Sequence, residues 1–117
     1  MLKSVLIVDD SLVSRMMIKE IIASKYAEWQ ITEAKNSDEA IKASTDKQFD
    51  LITLDLNMPG RSGLEAAPEI IALQPNAKIA LMTANIQTSV KDKAEALGLE
   101  FVVKPITEDS VLGFIEE

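Results

Sequence analysis

The sequence contains no cysteine, which excludes disulfides and thiolate metal sites and suits a reducing compartment such as the cytoplasm. Histidine is absent as well. That removes Ser-His-Asp and Cys-His nucleophilic catalysis together with every His-ligated zinc site. No apolar run approaches the roughly 20 residues that a membrane-spanning helix needs, so membrane insertion is not expected. The opening Met1-Leu2-Lys3-Ser4 leads into only a short strand before Asp9 and does not read as a secretory signal. Positive charge is scarce: 12 Lys and Arg stand against 19 Asp and Glu, for a formal net charge of −7. Sequence-independent nucleic-acid binding needs the opposite balance, so direct contact with nucleic acid is not expected. Carboxylates, hydroxyls, amides and lysines are left to carry any chemistry.

With 117 residues, 47% of them apolar, the chain has the size and composition of one globular domain spanning 1–117. Its most informative stretch is Asp50-Leu51-Ile52-Thr53-Leu54-Asp55-Leu56-Asn57-Met58-Pro59-Gly60. Leu51, Ile52, Leu54 and Leu56 make a nearly continuous apolar run, as expected of a parallel strand buried on both faces. Pro59 lacks the ladder donor and Gly60 admits positive φ, so the strand stops there. Asp55 is left at the mouth of a core, where an ionised side chain is costly unless a positive charge meets it.

Elsewhere strands alternate with helices. Residues 4–8 form a strand running into Asp9-Asp10, one of which is expected to cap the helix that follows as far as Lys25. In that helix Ile18, Ile21 and Ile22 supply the inward face, and Met16 and Met17 are expected to fill the core beside them. A weaker edge strand covers Trp29 to Ala34, and Asn36 or Ser37 caps a second helix carrying Ala40, Ile41 and Ala43 inward. Ser62-Gly63-Leu64-Glu65 matches a capping box that opens a third helix, in which Pro68 predicts a kink or a loosened first turn. Lys78 to Met82 is a fourth strand ending at Thr83, followed by a helix from about Gln87 to Leu97 stopped by Gly98. Glu100 to Val103 is a fifth strand ending at Lys104-Pro105, and Thr107 caps a last helix running to Glu116. The acidic end Glu116-Glu117 reads as a solvated tail. Such alternation implies an α/β doubly wound parallel sheet of five strands, joined by right-handed crossovers, with five helices on both faces.

Four strands thus end on polar residues: Asp9-Asp10, Asp55, Thr83 and Lys104. Ligands of open doubly wound sheets bind at the carboxyl ends of strands, where strand order reverses. Three carboxylates in one crevice repel each other, and a divalent cation resolves the conflict. All-oxygen ligands favour a hard ion, magnesium before calcium. A metal, a lysine, a hydroxyl and an aspartate together suit phosphoryl transfer, with an aspartate able to act as nucleophile.

On four motifs in order, VLIVDDS, FDLITLDLNMPG with SGLE after it, KIALMTA and FVVKP, the chain resembles the CheY-like receiver domains of two-component response regulators. The resemblance implies a flavodoxin-like sheet of order 2-1-3-4-5 and a phosphorylation-dependent switch. Asp55 would be phosphorylated by a histidine kinase or a histidine phosphotransfer protein. Asp10, Asp55 and the backbone carbonyl of Asn57 would bind Mg2+, with Asp9 acting through water. Lys104 and Thr83 would reach phosphoryl oxygens, Phe101 would occupy the place of the family's switch aromatic, and the Lys104-Pro105 bond would be cis. Asn57 and Asn85 would flank the water that hydrolyses the acyl phosphate, and the surface of the fourth helix and fifth strand would pass the change to a downstream target protein. Arg61-Ser62 and Ile106 depart from the usual family residues without touching that chemistry.

Other readings remain open on sequence alone. Asp55 can be a plain turn residue, Thr83 a strand end, Lys104 a surface lysine and Phe101 core. A phosphatase with an aspartyl nucleophile usually has a second acid two residues on, where Asn57 stands. A flavodoxin-type electron carrier would be repelled by Asp9-Asp10 at the flavin phosphate. A receiver that binds partners without phosphorylation is disfavoured by the complete residue set.

Overall fold

The computed structural model describes residues 2–116. Its elements are β1 (Ser4–Val8), α1 (Leu12–Lys25), β2 (Gln30–Ala34), α2 (Ser37–Asp46), β3 (Leu51–Asp55), α3 (Gly63–Leu73), β4 (Lys78–Thr83), α4 (Thr88–Ala96), β5 (Glu100–Val103) and α5 (Glu108–Ile115). The strands pair in parallel in the order β2-β1-β3-β4-β5, as the resemblance implies. β3 sits in the middle and is buried along its whole length, which explains its unbroken apolar run. β2 is an edge strand and correspondingly mixed in composition; it begins at Gln30, one residue after the expected Trp29.

Strand alternation divides the core in two. One cluster holds Leu6, Val8, Ile52, Leu54, Ile79 and Leu81 with the inward faces of α2, α3 and α4. The other holds Val5, Ile7, Leu51, Ala80 and Met82 against Ile18 and Ile22 of α1 and Val111, Phe114 and Ile115 of α5. Successive strand residues face opposite layers, so each strand feeds both clusters.

Three expectations need correction, and of the two outcomes expected at Pro68 the loosened turn drops out. Neither Asp9 nor Asp10 caps α1; Ser11 does, its Oγ accepting from the Ser14 amide at 3.2 Å. Met16 and Met17 are not core filler but are 53% and 41% exposed. The reason is angular: at about 100° per residue, Met17 and Met16 lie roughly 100° and 200° round the helix from buried Ile18. Glu116 is not merely solvated, since its carboxylate receives the Tyr26 hydroxyl and pairs with Lys25, tying the end of α5 to the end of α1; Glu117 lies outside the described residues. The first turn of α3 is not loosened: Ser62 and Glu65 form a reciprocal capping box, and the helix runs unbroken through Pro68, which is exposed. The other caps fall as expected, Asn36 on α2 and Thr107 on α5.

Two features of the turn after β3 set how the site is built. Gly60 has φ of 80°, the left-handed region that reverses the chain after Pro59. Gly63 starts α3 directly on the end of β3, its amide donating to the Leu56 carbonyl at 2.9 Å. A Cβ on Gly63 would lie 2.3 Å from the backbone oxygen of Asp55. Gly63→Ala is therefore expected to destabilise the protein by about 3 kcal/mol through forced separation of α3 from β3. Gly113→Ala in α5 meets open space and is expected to stabilise by about 0.5–1 kcal/mol through lower unfolded-state freedom. Denaturant titration of the two variants measures both; similar effects would contradict the close approach.

Candidate functional site

The carboxyl edge of the sheet gathers the residues that the sequence singles out. Asp9 follows β1 directly, its amide still donating to the Ala34 carbonyl of β2 at 3.1 Å. Its Oδ1 accepts from the Ser11 amide at 2.9 Å, a short loop that turns the chain from strand into helix. Asp55 closes β3 beside it. Asp9 and Asp55 are 1% and 4% exposed, whereas Asp10 faces solvent. Carboxylate oxygens of all three lie within 4.8 Å of one another.

Lys104 reaches this cluster from the end of β5. Its Nζ donates to Asp9 Oδ2 at 3.1 Å and pairs with Asp55 Oδ1 at 2.9 Å. The Lys104 amide donates to the Thr83 carbonyl at 2.9 Å, so the β4–β5 ladder carries the lysine to the rim. The Lys104-Pro105 peptide is cis.

Burial dominates the electrostatics of Asp55 and pushes its carboxyl up to about 6. The hydrogen bond from Lys104 opposes the rise, and the charges of Asp9 and Asp10 add to it. Burial alone would lower the Lys104 ammonium, but hydrogen bonds and charge from Asp55 and Asp9 outweigh it, and its pKa is raised. A single ammonium thus bridges two of three acids and leaves the cluster with an excess of negative charge. The donor set is entirely oxygen and partly open to solvent at Asp10, which fits a hard divalent cation that retains water ligands.

The remaining candidates lie around this cluster. Thr83 ends β4 and is buried, its Oγ1 accepting from the Asn85 amide at 2.9 Å. Asn85 in turn directs Oδ1 to the Gln87 amide at 2.9 Å, toward the start of α4. Phe101 pairs in register with Leu81 and packs half-buried against the larger cluster. Asn57 is exposed in the turn after β3. Acids and lysine are therefore joined directly, while Thr83 and Asn85 form a separate hydrogen-bonded run leading away to α4.

Arg15 escaped the sequence reading. From the first turns of α1 its Nη1 donates to the Asp9 carbonyl at 2.7 Å and its Nε to Glu33 Oε1 at 3.0 Å. The available signal was its place just inside the helix that follows Asp9-Asp10, because helical side chains lean back toward the N-terminus.

Fold and site together define a doubly wound α/β protein with a lysine-bridged acidic pocket at the carboxyl edge of its sheet. The chain belongs to the response regulator receiver domain family, whose sequence model matches residues 5–116. It is accordingly a signalling regulator, a phosphorylation-dependent switch of the two-component type. It is 40% identical over 113 residues to the chemotaxis protein CheY of Listeria monocytogenes, covering 96% of this chain and 94% of that protein. With the chemotaxis protein CheY of Bacillus subtilis the identity is 37% over 114 residues, covering 97% and 94%. Among solved structures it is similar to the response regulator TrrA of Thermotoga maritima in complex with Mg(2+)-BeF. The TM-score is 0.85 at 35% identity, covering 98% of this chain and 97% of that one. Among the described residues no helix is long and apolar enough to cross a membrane.

The raised carboxyl of Asp55 has a signed consequence for metal-free protein. Between its ordinary 3.8 and about 6, the folded state holds this proton more tightly than the unfolded chain. Stability from this group is therefore complete at lower pH and lost as pH rises through that window. In chelator, the denaturation midpoint of Asp55→Asn is expected to fall less than that of wild type over this range and to lie above it at pH 7. Parallel curves would show that Asp55 titrates normally.

Proposed function

We propose that Asp55 is the phosphoacceptor of a single receiver domain, working in the cytoplasm with Mg2+. The observation that carries this reading is the Lys104 ammonium held between Asp9 and Asp55 within a three-acid cluster. Asp10, Asp55 and the Asn57 carbonyl would hold the dication, with Asp9 acting through water. The metal supplies positive charge that makes three acids and a phosphoryl group compatible in one pocket.

In the forward step an Asp55 carboxylate oxygen attacks the phosphorus of a phosphohistidine presented by a histidine kinase or phosphotransfer protein. The P–O bond forms, the P–N bond breaks, and the imidazole leaves with the electron pair. Lys104 meets a phosphoryl oxygen, and positioning and charge neutralisation supply the rate. Water later hydrolyses the acyl phosphate between Asn57 and Asn85, so the protein's only catalysis is on its own carboxylate.

The phosphoryl group carries about −1.5 to −2 charge at neutral pH in place of the single charge of the carboxylate it caps, a net gain of at most about one negative charge. Thr83 turns its hydroxyl to the phosphoryl group, Phe101 fills the space left, and the faces of α4 and β5 change as a shift between two populations. That surface serves a downstream target protein. Similarity along nearly the whole chain to proteins named chemotaxis protein CheY supports a place in chemotaxis signalling.

A small radiolabelled acyl phosphate is expected to label wild type only with Mg2+ present and to leave Asp55→Ala unlabelled. Stable labelling of that variant would assign the wrong residue. On phosphorylation, amide shifts of α4 and β5 are expected to move; an unchanged spectrum there would reject the switch while leaving the phosphoacceptor intact.

A further inference from the structure

We propose that Arg15 is a positioning residue for the acidic pocket, fixing the Asp9–Asp10 peptide so that both carboxylates converge on Asp55. The proposal rests on the reading of that cluster as a divalent-cation site.

Asp9 makes its last ladder contact through its amide, to Ala34 of the edge strand. The peptide that follows lies beyond the sheet, yet its orientation decides where the Asp10 side chain projects. Its oxygen is the Asp9 carbonyl, which the Arg15 guanidinium holds at 2.7 Å. Arg15 is itself braced, with Nε on Glu33 Oε1 at 3.0 Å, and Glu33 is also met by Lys19 at 3.6 Å. The Arg15 side chain is only 13% exposed, while Glu33 and Lys19 behind it reach solvent at 31% and 53%. It joins α1, the end of β1 and β2 through one planar group.

The geometry requires an arginine. Nε and Nη1 are fixed in one plane and meet two acceptors at a set angle, whereas a lysine offers one flexible point charge. Arg15 holds the backbone carbonyl of Asp9, in the peptide that leads into the ligand Asp10, and so acts through Asp9 and Asp10. Groups of this kind, one bond removed from the ligands, typically account for 10–100-fold in metal affinity.

Calorimetric titration of the full chain with Mg2+ alone tests this. Arg15→Met is expected to weaken binding by about 10–100-fold, Arg15→Lys to recover part of the loss, and Glu33→Gln to weaken it less but in the same direction. Thermal melts in chelator separate folding from positioning. A lowered midpoint with unchanged Mg2+ affinity in Arg15→Met makes Arg15 a brace for the fold and overturns the proposal. Should that variant not fold, wild-type affinity in Glu33→Gln overturns it instead. Asp10→Asn is the control for the underlying reading: if wild type and Asp10→Asn bind Mg2+ alike, the cation site itself is wrong, and the proposal falls with it for a distinguishable reason.

Discussion

One ammonium group organises the functional edge of this protein. Lys104 stands between Asp9 and Asp55, two carboxylates that burial alone would make costly to ionise side by side. Its presence there depends on β5 pairing with β4, on β4 pairing with β3, and on the lysine following directly after the last strand. The compensation is incomplete. Asp55 stays well above an ordinary carboxyl because burial outweighs the lysine and two further acids surround it. The pocket is thereby left short of positive charge, and its oxygen donors suit a hard dication.

Register parity separates chemistry from transmission. Asp9, Asp55 and Lys104 continue the alternation of Ile7, Leu51 and Val102, the residues of the layer covered by α1 and α5. Thr83 and Phe101 belong to the opposite alternation, with Leu81, and face the layer of α2, α3 and α4. The central sheet therefore carries the acids and lysine on one parity and the expected switch residues on the other. Thr83 is the point where the two meet, since its carbonyl receives the Lys104 amide and its hydroxyl receives the Asn85 amide. A movement of that hydroxyl would disturb the turn that leads into α4.

The approach of α3 to the site strand is equally constrained. Gly63 admits contact between the first turn of the helix and the Asp55 backbone that no side chain would allow. The same contact keeps the turn from Leu56 to Ser62 short and places Asn57 at the rim. On the far end of the sheet, Gln74 is buried and gathers three backbone groups, donating to Ser44 and Lys47 and accepting from Phe49. These bonds tie the end of α2 to the start of β3, so both ends of the central strand are held.

The sequence by itself determined the alternation of strands and helices, the polar strand ends and the capping residues Ser62 and Thr107, and it narrowed the cap of α2 to Asn36 or Ser37. Each of these depends on neighbours a few positions away, through period, turn chemistry and local hydrogen bonds. With the family resemblance, strand order and the cis peptide were legible as well. Only the tertiary structure decided that Ser11 and not an aspartate caps α1, that Met16 and Met17 face outward, and that Arg15 grips the Asp9 carbonyl. Those outcomes turn on which helical face meets the sheet and on a contact between a helix and the strand end it folds back upon. Such geometry is fixed by packing between layers, and no local pattern of residues carries it.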